Sequence, residues 1–278
     1  MHYQVQIPKE KVKTPAALLL RAVQKRWIAA EQKFPRLFPP APGAGAVVST
    51  LWRLHMAEPI ITIRDLSNSY VHRKHNLFGK SEIEHVLNMF NLDIMKSEIF
   101  GLTGSSGCGK TTLARCILGL VDYEGKITVR GRVQMVFQDP YASLNPVKKI
   151  GWLLEEPLVI HRLGNFRERS YRVDAMLERV GLEISLKERR PHELSGGQKQ
   201  RVCIGRALML EPEILIADEA ASFLDVCAGS QILNLFRELN KNLSLTILFI
   251  THNKSSAEYL CDRMAVMKNG SLLDILSY

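Results

Sequence analysis

Apolar and polar positions alternate over residues 59–66, as they do in an edge strand with one buried face. Residues 86–94 read as a second strand, and 99–103 as a short apolar strand ahead of a glycine-rich turn. A helical rhythm follows over 112–120, and residues 133–137 read as another buried strand. From about 141 to 193 the pattern is mostly helical, with Val173, Met176, Leu177 and Val180 recurring at i, i+3, i+4 and i+7. Residues 214–217 and 245–250 are unbroken apolar runs, typical of central parallel strands covered on both faces. Near the end, Asn269-Gly270 separates two apolar runs, a strong hairpin signal. Strands alternating with helices predict an α/β fold with a mainly parallel sheet, interrupted by a helical insertion over about 141–193. No internal repeat is visible.

Residues 1–55 break this regularity. Residues 35–45 are rich in Pro and Gly and read as an irregular linker, and 16–26 has the pattern of a short basic amphipathic helix. The expectation is a basic, poorly ordered extension. Met56 directly precedes the first strand, so the extension reads as an added tail or an upstream start.

Composition changes the picture in three places. The formal charge of +9 first suggests an anionic partner. Of the 37 basic and 28 acidic residues, nine basic and two acidic ones fall within residues 1–55, leaving 28 against 26 elsewhere. The main body is near neutral, so a nucleic-acid partner is not expected. The five cysteines (Cys108, Cys116, Cys203, Cys227, Cys261) are scattered, odd in number and form no C-x-x-C pair, which argues for reduced thiols and against a zinc site. No uninterrupted apolar run reaches the roughly 18 residues of a membrane span, so any membrane role is expected to pass through partners.

Chemistry enters at Gly104-Ser105-Ser106-Gly107-Cys108-Gly109-Lys110-Thr111, followed by Thr112. The string matches G-x-x-x-x-G-K-[ST] between an apolar strand and a helix, the context this phosphate loop requires. Its glycines let successive N–H groups face one concavity, and the helix N-terminus adds its positive end. Lys110 is expected on the β- and γ-phosphates of ATP, and Thr111 on Mg²⁺. The apolar run 214–217 ends in Asp218-Glu219. One acid at a strand end can hold Mg²⁺ and the next can orient or deprotonate a water. Asp218 is assigned to the metal and Glu219 to the water.

Leu194-Ser195-Gly196-Gly197-Gln198, opening a helix that runs on through Arg206 and Leu208, resembles the signature of the ATP-binding cassette (ABC) family. With the phosphate loop and the Asp-Glu strand, the likeness extends over about 58–273. It implies a P-loop NTPase core with a mainly parallel sheet, an antiparallel β part and an inserted helical subdomain, occupying residues 56–278. In that family two cassettes meet head to tail, and Ser195, Gly196, Gly197 and Gln198 would cover the ATP of the partner. A serine and two glycines at a helix N-terminus suit a γ-phosphate. The resemblance also implies Gln138 as the glutamine contacting Mg²⁺ or the attacking water. It further implies Asp225 in the loop crossing the dimer interface, His252 as the switch histidine on the γ-phosphate, and Tyr70 stacked on adenine.

Val136-Phe137-Gln138-Asp139-Pro140-Tyr141-Ala142-Ser143-Leu144-Asn145-Pro146 is similar to the dipeptide/oligopeptide and nickel importer ATPases. That likeness implies an ATP-hydrolysing subunit at the cytoplasmic face of the cell membrane. Its partners would be a second cassette ATPase, identical or different, transmembrane permease subunits and, indirectly, an extracytoplasmic binding protein. The cargo would be peptides, or alternatively nickel or a metal chelate; a soluble non-transport cassette ATPase is the alternative function. The pattern departs from the family at Ala220-Ala221, where Pro-Thr is usual, and at Asn253, where Asp is usual. Ala220 is more common in nickel-type members. The interval 139–193 is too short for the coiled coil of a DNA-repair cassette ATPase. A single phosphate loop and signature argue against a two-cassette translation factor.

Overall fold

The computed structural model describes residues 58–72, 82–222 and 224–277, all within the unit Ala57–Tyr278. The basic extension, its expected helix and Met56 lie outside the described residues. Strand β1 (Pro59–His72) pairs antiparallel with β2 (Glu82–Met95) on one side and with β4 (Glu124–Val129) on the other. The alternation over 59–66 predicted an edge strand, and the structure places β1 in the centre instead. Alternation reports one buried face and carries no count of neighbours; the partner on the open side, β4, is a mixed Glu-Gly-Lys-Ile-Thr-Val stretch with no apolar period to announce it.

The second sheet has the order β5-β6-β7-β3-β8-β9. Its strands are β3 (Ile99–Gly104), β5 (Val133–Val136), β6 (Ile214–Asp218), β7 (Thr246–Thr251), β8 (Arg263–Lys268) and β9 (Ser271–Ser277). The first five in that order run parallel, and β9 returns antiparallel to β8. β6 and β7 are buried along their whole length, as their unbroken apolar runs predicted. β5 was expected to be buried; it is the edge strand, and only Val136 is fully covered. A four-residue strand with one neighbour presents the same short apolar run as a central one. The turn between β8 and β9 has positive φ at both Asn269 (48°) and Gly270 (75°), the conformation that this dipeptide favours.

Seven α-helices are described: α1 (Lys110–Ile117), α2 (Pro140–Ser143), α3 (Ile150–Ile160), α4 (Phe166–Arg179), α5 (Gly196–Leu208), α6 (Val226–Leu243) and α7 (Lys254–Leu260). Capping sets several of their starts. Asn165 accepts from the N–H groups of Arg167 and Glu168, while Glu168 reaches back to the Asn165 N–H. Val173, Met176 and Leu177 then form the buried stripe of α4.

The parallel sheet divides two cores. Ile214 and Ile216 of β6 and Leu248 and Ile250 of β7 face a core shared with β1, β2 and α1. The alternate residues, Leu215, Ala217, Ile247 and Phe249, face a core built with α3 to α7. Among the described residues no helix is long and apolar enough to cross a membrane. All five cysteines are free, and all but Cys227 are buried.

Candidate active site

In a parallel sheet all carboxyl ends lie on one side, so loops leaving adjacent strands converge there. Here β5, β6, β7 and β3 are consecutive neighbours. Their C-terminal ends deliver Gln138, Asp218 with Glu219, His252, and the phosphate loop.

The loop leaves β3 at Gly104, with Ser105, Ser106 and Gly107 exposed and Cys108, Gly109 and Lys110 buried. Gly109 has φ 105° and caps α1, whose first bond runs from the Leu113 N–H to the Gly109 carbonyl (2.9 Å). Thr111 and Thr112 follow in the first turn of α1, both half-buried. The Lys110 ammonium donates to the carbonyls of Gly104 (2.9 Å) and Ser105 (3.0 Å), which folds the side chain back along the loop. The loop is held from outside by the β8–β9 turn. The Gly270 N–H donates to the Cys108 carbonyl (3.1 Å), and a methyl group at Gly104 would lie 2.4 Å from the Met267 carbonyl oxygen.

Asp218 closes β6 and is 2 % exposed. The Thr111 hydroxyl donates to its Oδ2 at 2.9 Å. Burial raises the Asp218 carboxyl above the ordinary range, partly offset by the Thr111 bond. Its Oδ1 is buried without a partner. A buried carboxylate oxygen with nothing to accept from, next to a hydroxyl, is the oxygen donor set that a hard divalent cation takes. The residues present therefore fit Mg²⁺. Thr111, Asp218 and Gln138 also line one cavity of about 440 Å³, together with Arg115 and Arg206.

Glu219 is the next residue, buried and at φ 53°, a backbone region costly for a residue with a side chain. Its N–H donates to the Ile250 carbonyl of β7 at 2.9 Å, which pins the backbone where β6 ends. The carboxylate meets His252 Nδ1 at 2.8 and 2.9 Å and also accepts from the Ser222 hydroxyl. A carboxylate only accepts, so Nδ1 carries the hydrogen in this pair. Asn253 then caps α7 by accepting from the Ser256 N–H (3.1 Å), as the usual Asp could. Ala220, in place of the usual proline, is buried.

The structure thus brings together the phosphate loop, Lys110, Thr111, Gln138, Asp218, Glu219 and His252. The remaining predicted residues take part in other contacts. Ser195 caps α5, accepting from the Gln198 N–H (3.3 Å) while Gln198 Oε1 accepts from the Ser195 N–H (2.9 Å). Asp225 caps α6 through the Ala228 N–H (2.8 Å). These two helix starts adjoin: a methyl group at Gly197 would lie 3.2 Å from the Ala228 Cβ. Ser195 stays exposed and Gly196 to Gln198 half-exposed. Tyr70 is half-buried on β1 opposite Glu84. Sequence reasoning passed over Ser222 as a partner of Glu219 and Gly270 as a support of the loop. The first was visible only as part of the Asp225 loop, the second only as a hairpin turn.

A family model described as ABC transporter matches residues 87–222. The oligopeptide transport ATP-binding protein AppF of Bacillus subtilis (strain 168) is 39 % identical over 236 residues, which cover 78 % of this chain and 72 % of that protein. The glutathione import ATP-binding protein GsiA of Pectobacterium atrosepticum is 40 % identical over 236 residues, 79 % of this chain but 38 % of that protein; the chain spans well under half of it. Among solved structures, the dimeric ATP-binding cassette MJ0796 in a post-hydrolysis state, bound to ADP and Pi, aligns with a TM-score of 0.68 at 27 % identity, covering 78 % of this chain and 98 % of that one.

Proposed function

The chain belongs to the ABC transporter family, and we propose that within it the protein is the ATP-hydrolysing subunit of a peptide importer. The observation carrying this reading is the convergence of Lys110, Thr111–Asp218 and Glu219–His252 at the ends of adjacent parallel strands. The loop N–H groups and Lys110 hold the phosphates of ATP. Thr111, Asp218 and Gln138 hold Mg²⁺, which supplies charge neutralisation at the transferred phosphoryl group. Glu219 orients the attacking water and accepts its proton, and His252 fixes the Glu219 carboxylate and faces the γ-phosphate. Tyr70 lies under the adenine.

The signature turn Ser195–Gln198 and Asp225 serve a second cassette, identical or different. The dimeric state of the cassette bound to ADP and Pi supports this, as does the exposure of Ser195. Residues 56–278 form the ATP-binding domain, with residues 141–193 as its helical subdomain. A groove of about 270 Å³ beside Gln138, lined by Phe137, Glu156, Ile160 and Arg206 among others, offers the permease subunits a docking place. The protein then works at the cytoplasmic face of the membrane, held there by those subunits. Peptide cargo is favoured over nickel because the similar proteins are an oligopeptide transport and a glutathione import ATP-binding protein.

The test is phosphate release by the purified chain with Mg-ATP as protein concentration rises. A rate growing faster than linearly supports two cassettes per site. Strict proportionality down to nanomolar protein overturns it. Cargo is tested by uptake of a labelled tripeptide into cells whose own copy carries Glu219→Gln. Uptake is expected to be lost; retained peptide uptake with lost nickel uptake overturns the peptide assignment.

A further inference from the structure

Two lysines are buried among the described residues, Lys110 and Lys199, each 7 % exposed. The first belongs to the phosphate loop; the second has no part in the chemistry above. Lys199 is the fourth residue of α5 after its cap Ser195, at the positive end of the helix, where a cation is disfavoured. The lysine ion pairs among the described residues are made by Lys149, Lys187 and Lys254. Lys199 instead places its Nζ 4.3 Å from the centroid of the Tyr141 ring. A cation on an aromatic face is held more strongly as water is withdrawn from it. The ring therefore offsets two unfavourable features of this site, burial and the helix dipole.

Tyr141 is the second residue of α2, which begins directly after the Gln138-Asp139 pair. Its hydroxyl would lie 3.9 Å from a methyl group at Gly196, so the ring spans the first turn of the signature helix. α2 is tied to α5 a second time at its other end: Arg206 donates to the Ser143 carbonyl (3.0 Å) and pairs with Glu156 (2.5 Å). Pro140 at the first helical position and the Asp139 cap, accepting from the Tyr141 N–H at 2.7 Å, stiffen the short helix itself. The segment carrying Gln138 and the helix carrying Ser195 are thus joined by a rigid four-residue strut with a contact at each end.

We propose that Tyr141, by holding Lys199, is a positioning residue that keeps the signature turn in register with Gln138, so that a shift at one ATP site is passed to the neighbouring one. This rests on the reading that the signature turn acts on the ATP of a second cassette. The strut then lets Gln138, beside this chain's own Mg²⁺ site, set the orientation of the group that this chain offers to its partner.

The experiment compares Tyr141→Leu, Tyr141→Phe and Lys199→Arg in the full chain. Two readouts are taken: the Kd for ATP at a protein concentration that keeps the chain monomeric, and kcat for phosphate release where it dimerises. Tyr141→Leu is expected to lower kcat about tenfold, within the usual range of coupling between sites, with the monomer Kd unchanged. Tyr141→Phe and Lys199→Arg keep a ring and a cation and are expected to stay within about twofold of the parent. A wild-type rate in Tyr141→Leu overturns the proposal. So does a loss in Tyr141→Phe as large as in Tyr141→Leu, or a monomer Kd that weakens in step with kcat. If the parent chain itself shows a rate strictly proportional to protein concentration, the two-cassette reading fails, which is a separate outcome from any pattern among the variants.

Discussion

His252 Nδ1 lies within 2.9 Å of both carboxylate oxygens of Glu219. The two side chains differ in exposure, 59 % for the imidazole and 11 % for the carboxylate, so an accessible ring holds a buried acid in one orientation. Glu219→Gln preserves shape and removes the proton acceptor. Phosphate release is expected to fall by about 10²–10⁴-fold while ATP binding survives. With ATP bound and uncleaved, the variant should elute as a dimer in size-exclusion chromatography. Normal turnover in this variant would remove Glu219 from the mechanism.

The unpartnered Oδ1 of Asp218 leads to a second expectation. Mg-ATP should raise the melting temperature of the chain more than ATP with EDTA does, since a ligand that binds only the folded state stabilises it. Asp218→Asn should erase that difference while leaving the shift given by ATP with EDTA. An undiminished Mg²⁺ increment in Asp218→Asn would place the metal elsewhere.

Gly270 sits where no side chain fits. Its φ is 75°, and a methyl group there would lie 2.3 Å from the Val86 carbonyl oxygen. The Gly270 N–H also donates to Cys108 of the phosphate loop, and its carbonyl accepts from the Asn88 N–H (3.1 Å each). Gly270→Ala should therefore cost about 2–3 kcal/mol through forced backbone movement. The movement reaches the loop, so the Kd for ATP should weaken in the same variant. Asn269→Gly, which only relaxes the turn, should leave nucleotide binding intact. Unaltered ATP affinity in Gly270→Ala would show that the turn does not set the loop.

Much of the site was legible in the sequence because its elements are local. The phosphate loop is eight contiguous residues between a strand and a helix, and the signature is a capping box closed within four residues. The Asp218-Glu219 pair was legible for the same reason, standing at the end of an unbroken apolar run. Strand neighbours were not legible in this way. β1 was expected at an edge and lies in the centre of its sheet; β5 was expected to be buried and is an edge strand with only Val136 fully covered. A short apolar run records burial of side chains, whereas edge or centre depends on which distant segment supplies the hydrogen bonds.

The sequence by itself determined the α/β class, the strand–loop–helix carrying Gly104 to Thr111 and the acids at the end of β6, since each follows from contiguous residues and their periodicity. Tertiary structure alone decided the rest. It set Thr111 on Asp218, 107 positions away, and His252 on Glu219, 33 positions away. It seated the Asn269-Gly270 turn against Cys108 and laid Tyr141 over Lys199. These pairings arise from strand order and helix packing, which are fixed by the summed burial of two cores rather than by any residue's neighbours in the chain.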